Sequence, residues 1–389
     1  MKTVQAERLH IGIFGPTNVG KSSLINALTL QDVALVSATA GTTTDPVFKS
    51  MELQGVGPVV FIDTAGFDDT GELGEKRLER TKKVLNRVDV AILVMNESID
   101  EIRDWKTELE KRGIPSILVV NKVDLVDSAP LLEAVKTTFK VEAIAVSTVT
   151  GQGIEALRQK LATFGQSKER LITQDIVQPG NTVILVTPQD KAAPKGRLIL
   201  PQVQTIRELL DRGCVTLVVQ PEQLEACLAG LNKAPDVIIT DSQVFEKVYP
   251  LVPKESKLTS FSILFAGYKG DLNYFVRSAH AIASLKPDSR VLIAEACTHA
   301  PIEEDIGTVK IPMMLKKRFG ESLQFDFVRG HDFPTDLVNY DLIIQCGSCM
   351  VNRRSVLHRV AQAEEQGVPM TNYGVTLAFL QGILGRVSY

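Results

Sequence analysis

Gly15-Pro16-Thr17-Asn18-Val19-Gly20-Lys21-Ser22 follows the apolar run Leu9–Phe14 and is followed by Ser23 and the helically spaced Leu24, Ile25 and Leu28. A glycine, four free positions and then Gly-Lys-Ser is the phosphate-loop pattern, here with a strand before it and an amphipathic helix after it. Gly15 and Gly20 let the backbone turn so that successive N–H groups, among them those of Thr17, Val19 and Ser23, point at phosphate oxygens. Lys21 reaches the β- and γ-phosphates, and the Ser22 hydroxyl is a magnesium ligand. The helix that begins here turns its positive end toward the same anion.

At 389 residues the chain is too long for one ordinary domain, and two or three are expected. A hydrophobic content of 44% with 23% charged residues describes a globular protein. The net charge of −3 provides no overall basic field for nucleic acid. No apolar segment is long enough to span a bilayer, and the N-terminus lacks an apolar signal core. A cytoplasmic protein that binds neither membrane nor nucleic acid is expected. In that reducing setting the five cysteines are thiols or metal ligands rather than disulfides.

Outward from the phosphate loop, apolar runs at Ile11–Phe14, Val59–Ile62, Val90–Val94, Ile117–Val120 and Ala143–Val146 alternate with helical stretches such as Gly74–Leu85 and Ile102–Arg112. This is the rhythm of a parallel sheet wrapped by helices, whose ligands bind beyond the carboxyl ends of the strands. Three loops there carry chemistry. In Asp63-Thr64-Ala65-Gly66, the Asp63 carboxylate holds magnesium through water and the Gly66 N–H approaches the γ-phosphate. In Asn121-Lys122-Val123-Asp124, Asp124 accepts from guanine N1–H and the exocyclic amine, a donor pair that adenine lacks. Ser147-Thr148-Val149 is placed to close over the base.

Together and in this order, these loops resemble those of the translation-factor-related GTPases over residues 1–165. The resemblance implies GTP and GDP as ligands, with Mg2+. Ala40-Gly41-Thr42-Thr43-Thr44-Asp45 resembles the first switch of the tRNA-modification and ribosome-assembly GTPases, which implies that Thr43 binds magnesium, with Thr42 and Thr44 as the alternatives for an alignment slipped by one residue. In the same relatives an asparagine at the position of Asn18 holds K+. Phe67 stands where signalling GTPases have a water-positioning glutamine, which implies slow, potassium-activated hydrolysis.

Residues 166–180 read as a polar linker. From 181 to 260 a second alternation is expected, with strands at Val183–Val186, Val215–Val219 and Val237–Ile239 and helices at Gln202–Asp211 and Gln223–Ala229. So small a domain has a limited core, and self-association would bury more of it. Lys191–Arg197 reads as an exposed basic loop, and Cys214 and Cys227 as core thiols. A third alternation occupies 261–389. Here Val291–Ala294 runs into Cys297-Thr298-His299, and Leu342–Ile344 into Gln345-Cys346-Gly347-Ser348-Cys349. Buried thiols, a redox Cys-x-x-Cys pair and a metal site are all compatible with this. Only a metal site uses all three cysteines. Zinc would take His299 as a fourth ligand, and an iron–sulfur cluster would leave one iron to a weaker donor.

A GTPase domain followed by Cys297-Thr298-His299, the later Cys346-x-x-Cys349 and Pro369-Met370-Thr371-Asn372-Tyr373-Gly374 resembles the FeFe-hydrogenase maturation GTPases over the whole chain. The resemblance implies an α/β protein with a P-loop GTPase domain and two smaller α/β domains with mainly parallel sheets, 181–260 for dimerisation and 261–389 for cluster binding. It implies a homodimeric scaffold that holds a 4Fe-4S cluster. Such a scaffold receives the di-iron precursor from radical maturation enzymes and passes it to apo FeFe-hydrogenase. Many members carry a histidine where this chain has Gln345, so the fourth ligand is sought elsewhere: His299, or an acid of Glu303-Glu304-Asp305. Glu304 is preferred, since Pro301 can start a helical turn that swings it over the site and a hard carboxylate is an exchangeable iron ligand. Acids that simply favour a helix start explain the same residues. The alternative function is an RNA- or ribosome-directed GTPase with a zinc-bearing accessory domain.

Overall fold

The structure, a computed structural model, describes residues 5–29, 47–64, 81, 83–165, 170–189, 198–296 and 305–389. Thr42–Thr44, Gly66, Phe67, most of the helical stretch 74–85, Lys191–Arg197, Cys297, His299, Pro301, Glu303 and Glu304 lie outside the described residues. The chain divides into two compact units, Met1–Glu169 and Arg170–Tyr389.

In the first unit, β1 (Leu9–Phe14), β2 (Val47–Leu53), β3 (Gly57–Asp63), β4 (Val90–Met95), β5 (Ser116–Val120) and β6 (Ile144–Ala145) form one sheet in the order β2-β3-β1-β4-β5-β6. All pairs are parallel except β2 with β3. Largely apolar runs form the inner strands β1, β3, β4 and β5 because both sheet faces are covered there. Val90, Ile92 and Val94 enter one core with Ile11, Ile13, Leu24 and Leu157, while Ala91, Leu93 and Met95 enter the opposite one with Phe14, Ile102 and Leu109. Full burial of such side chains contributes about 1.5–3 kcal/mol each. The rigid central strands thereby hold the loops at their carboxyl ends in fixed relation.

The second unit holds two four-stranded sheets, all parallel. One comprises β7 (Thr182–Val186), β8 (Val215–Val219), β9 (Val237–Thr240) and β10 (Lys257–Ser260) in the order β10-β9-β7-β8. The other comprises β11 (Arg290–Glu295), β12 (Gln324–Arg329), β13 (Leu342–Gln345) and β14 (Met370–Asn372) in the order β12-β11-β13-β14. Ile184, Ile238 and Leu258 of the first sheet share an apolar core with Val291, Ile293, Leu342 and Ile344 of the second. The helix Phe261–Lys269 starts directly from β10, where the Ser260 hydroxyl accepts from the Ile263 N–H at 3.3 Å. It sends Phe261 and Phe265 toward one core and Ala266 toward another. Ile172, Ile176 and Val177, within the stretch that reads as a linker, are buried with Val183 and Leu185, so the packed part of this unit begins before β7. Among the described residues no helix is long and apolar enough to cross a membrane.

Candidate functional site

The turn after β1 brings the candidate nucleotide residues together. Lys21 is buried, and its Nζ donates to the carbonyls of Gly15 at 2.8 Å and Pro16 at 2.7 Å, so the loop wraps its own cation. The Ser22 hydroxyl donates to Asp63 Oδ2 at 2.8 Å. Burial raises the Asp63 pKa; the Ser22 hydrogen bond and the charges of Lys21 and Lys49 oppose the rise. Serine hydroxyl and aspartate carboxylate thus already converge as a magnesium site with this geometry requires. At Gly15 a Cβ would collide with the Val94 carbonyl, and at Gly20, with φ 97°, it would collide with the Asn121 side chain. Asn18, at φ 60°, is exposed at the loop tip, a conformation asparagine tolerates. Ser23 lies in the first turn of the helix Lys21–Thr29.

Asn121 ties the base loop to the phosphate loop: its Nδ2 donates to the Val19 carbonyl at 2.8 Å. Its Oδ1 is buried with no hydrogen-bond partner among the described residues, which leaves an acceptor for a ligand N–H. Lys122 has φ 60°, and Asp124 is exposed beyond it. Ser147 is buried, with its hydroxyl accepting from the N–H groups of Val149 at 3.3 Å and Thr150 at 3.0 Å. That turn carries Thr148 half-buried and leaves Val149 83% exposed, so Val149 lends its backbone, not its side chain, to the turn's architecture. Thr64 was overlooked in the sequence: its hydroxyl donates to the Ile13 carbonyl at 2.7 Å and pins the end of β3 to β1. A threonine next to a catalytic-type aspartate carries no pattern that would have announced it.

In the second unit, β11 and β13 are neighbours, with Ala294 opposite Gln345, and both cysteine loops leave from the same end. The Cys346 N–H donates to the Ala294 carbonyl at 3.0 Å. In return, the Ala296 N–H donates to Cys346 Sγ at 3.0 Å, and the Ser348 N–H reaches the same sulfur at 3.4 Å. Cys297 is the residue that follows Ala296. Ser348 takes φ 56°, which turns the loop sharply between the cysteines. Asn372, at the end of β14, donates from Nδ2 to the carbonyls of Gln345 at 3.4 Å and Cys346 at 3.3 Å, while its Oδ1 accepts from Ser262 Oγ at 3.1 Å and Gly374 N–H at 2.8 Å. The Pro369–Gly374 stretch therefore braces the cysteine turn, a role that its sequence alone does not reveal.

Cys346 and Cys349 are partly exposed thiols on one turn, not joined in a disulfide, and among the described residues no three His, Cys, Asp or Glu side chains converge. A sulfur that already receives two backbone N–H groups suits an iron–sulfur centre, where such bonds stabilise the thiolate ligand. The buried Gln345 points inward: its Nε2 donates to Ser348 Oγ at 2.8 Å, and its Oε1 accepts from Arg359 at 3.4 Å. Asp305 is spent on its own helix start, accepting from the Thr308 N–H at 2.7 Å and hydroxyl at 2.8 Å. Glu295, which the sequence did not single out, accepts from Tyr373 Oη at 3.2 Å and lies 3.4 Å from Arg329.

Three family models match the chain. A 50S ribosome-binding GTPase model matches residues 10–122. The Hydrogen maturase F dimerization domain matches residues 172–270, and the Hydrogen maturase F tetramerization domain matches residues 273–388. The two maturase models cover more than half of the chain. The chain belongs to the hydrogen maturase F family. It combines a P-loop GTPase domain with further α/β structure containing mainly parallel sheets. Among curated proteins it is 38% identical over 159 residues to the tRNA modification GTPase MnmE of Bordetella parapertussis, covering 40% of this chain and 33% of the relative. It is 35% identical over 182 residues to GTPase Der of Wolinella succinogenes, covering 43% and 38%. The chain thus spans little more than a third of the length of these relatives, and their similarity is confined to less than half of this maturase-family chain. A solved structure of Era in complex with MgGDPNP and 16S ribosomal RNA is similar with a TM-score of 0.38 and 18% identity, covering 54% of this chain and 92% of that one.

Proposed function

We propose that this maturase-family chain is a GTP-hydrolysing scaffold that holds a 4Fe-4S cluster and carries the di-iron precursor from radical maturation enzymes to apo FeFe-hydrogenase. The observation that carries the proposal is the cysteine turn on β13 beside the end of β11, in a chain whose greater part matches the maturase family. Cys346, Cys349 and Cys297 would supply three thiolates, and Glu304 or His299 a replaceable ligand at the fourth iron. An iron without a thiolate is a Lewis-acid position to which a second metal complex can bridge and from which it can leave. Residues 181–260 act as the dimerisation domain and 261–389 as the cluster domain, joined to the GTPase domain through 166–180. The edge strand β8, with Val215 56% and Val218 45% exposed, supports self-association of the middle part. The proposed location is the cytoplasm.

In the GTPase domain, Gly15, Thr17, Val19, Gly20 and Ser23 line the phosphates. Ser22, Asp63 and Thr43 hold Mg2+, which would neutralise charge on the β- and γ-phosphates. Lys21 exchanges the Gly15 and Pro16 carbonyls for phosphate oxygens. Gly66 donates its backbone N–H to the γ-phosphate. Asn121, Lys122 and Asp124 recognise guanine, while Ser147, Thr148 and Val149 form the turn over it. Anaerobically purified protein should contain iron and absorb visible light. Stoichiometric zinc without iron would overturn the cluster assignment and favour an RNA-directed GTPase.

Two consequences concern the nucleotide. Asp124→Asn should reduce the preference for GTP over ATP by roughly tenfold to a hundredfold, because the variant loses the acceptor for two guanine donors. Competition kinetics checks this, and undiminished selectivity would remove Asp124 from the base site. The Asn18 carboxamide, at the exposed loop tip, is the proposed K+ ligand. Phosphate release by wild type should rise when sodium is replaced by potassium, and Asn18→Ala should lose that rise while keeping the basal rate. A variant still fully activated by potassium would refute the assignment.

A further inference from the structure

Behind the cysteine turn lies a buried cation with no stated task. Arg359, on the helix Arg353–Glu365, is only 4% exposed. Its Nη2 donates to the Gly330 carbonyl at 2.7 Å, its Nη1 donates to Gln345 Oε1 at 3.4 Å, and its guanidinium stacks 4.9 Å from the centre of the Phe333 ring. All of these partners are neutral. Among the described residues no carboxylate forms an ion pair with it, and the exposed Asp332 acts on it only from a longer range. A buried charge without a counter-charge is strongly unfavourable unless something nearby compensates it. Burial lowers the Arg359 pKa, with the charges of Cys346 and Asp332 opposing; a guanidinium is not deprotonated in proteins, so the buried group is a cation.

The guanidinium is connected to the turn by a short chain. Arg359 donates to Gln345, Gln345 donates to Ser348, and the Ser348 hydroxyl donates to the Cys346 carbonyl at 3.2 Å. Gln345 and Ser348 are 1% and 2% exposed, so water does not screen this chain. The side chain at position 345 is thus engaged by Arg359 on one side and by Ser348 on the other.

We propose that Arg359 is the positioning residue of the cysteine turn and the built-in counter-charge of an anionic iron–sulfur cluster, acting through Gln345 and Ser348. The inference rests on the cluster assignment above. A cluster carried by thiolates is net anionic and becomes more so on reduction, so a fixed buried cation favours the reduced state and raises the reduction potential. Gln345 suits this arrangement because it passes the hydrogen bond on while leaving the arginine charge uncompensated.

The test uses the full chain reconstituted anaerobically with iron and sulfide, and an electrochemical titration followed by electron paramagnetic resonance. Two variants neutralise the charge independently: Arg359→Gln by deletion and Gln345→Glu by pairing the guanidinium with an isosteric carboxylate. Each should retain wild-type iron and shift the one-electron reduction equilibrium toward the oxidised cluster by about tenfold, equivalent to about 59 mV. Arg359→Lys keeps the charge and should stay within about threefold of wild type, by the same conversion. An unmoved potential in either iron-loaded neutralising variant overturns the proposal. Equal loss of iron in all three variants also overturns it, since a charge-retaining lysine would then behave as a mere structural defect. A wild-type chain that takes up no cluster would instead refute the underlying cluster assignment.

Discussion

Lys21→Ala should abolish GTP hydrolysis, lowering turnover by about a thousandfold or more, because the charge developing on the transferred phosphate loses its principal side-chain cation. The geometry makes this more than a lost contact. Lys21 is held at 2.8 Å and 2.7 Å by two carbonyls of its own loop, so the ammonium is positioned in advance of any nucleotide. Hydrogen bonds to charged groups contribute about 1.5–3 kcal/mol, and phosphate oxygens must offer at least as much for the exchange to occur. Alanine leaves the Ser22–Asp63 pair in place, so magnesium-dependent nucleotide binding should weaken less than turnover does. Phosphate release under saturating GTP, alongside binding of a fluorescent GDP analogue, measures both. Iron content should be unchanged, because the cysteine turn belongs to the other compact unit. Turnover above a tenth of wild type would remove Lys21 from its assigned role.

Much of this was legible in the sequence for a definable reason. Val90–Val94 and Ile117–Val120 are unbroken apolar runs because both faces of a parallel strand are covered, and that burial leaves a plain mark. The strands that left no such mark are short or lie at sheet edges. β2 carries Lys49, Ser50 and Glu52 on an open edge, β12 has the same edge position, and β14 has only three residues. β10 runs into the helix that follows it without a break, and it is only four residues long with Thr259 and Ser260 polar, so it leaves no apolar run of its own. The shared core of the two sheets in the second unit was equally invisible, since residues such as Ile184 and Ile293 are far apart in sequence.

The two candidate sites differ in the same way. The phosphate loop is contiguous, and its chemistry is written in nine neighbouring residues. Around the cysteines, the pattern identifies the thiols but not what holds them. Asn372 and Arg359 come from separate elements, and nothing local ties them to Cys346. Gln345 could be recognised as a departure from the family, but its inward orientation follows only from Arg359 and Ser348. Asp305 stood among the acids weighed as ligands, and its side chain caps the helical turn that starts at Ile306.

Cys346→Ser should reduce the iron bound after reconstitution by roughly tenfold or more, since losing even an outer-shell partner of a metal site lowers affinity by 10- to 100-fold and this removes a ligand itself. Hydrogenase activation in a mixed assay should fall with the iron. Serine is the informative replacement because its oxygen can accept the same two N–H groups, from Ala296 and Ser348, that now reach the sulfur. The turn should therefore keep its shape, and thermal unfolding should stay close to wild type while iron is lost. Cys349→Ser and Cys297→Ser should behave alike if three thiolates share one centre. Cys214 supplies the contrast. It is buried in the core with Val183 and Leu185, and its thiol donates weakly to the Gln178 carbonyl at 3.5 Å. Cys214→Ser should cost stability and leave iron binding intact. Glu304→Ala should retain the cluster but alter its spectrum or its affinity for added imidazole, and an unchanged spectrum would move His299 into that place. Full reconstitution of Cys346→Ser, with a spectrum identical to wild type, would show that the turn on β13 is not where the iron is held, and the carrier function would lose its physical basis.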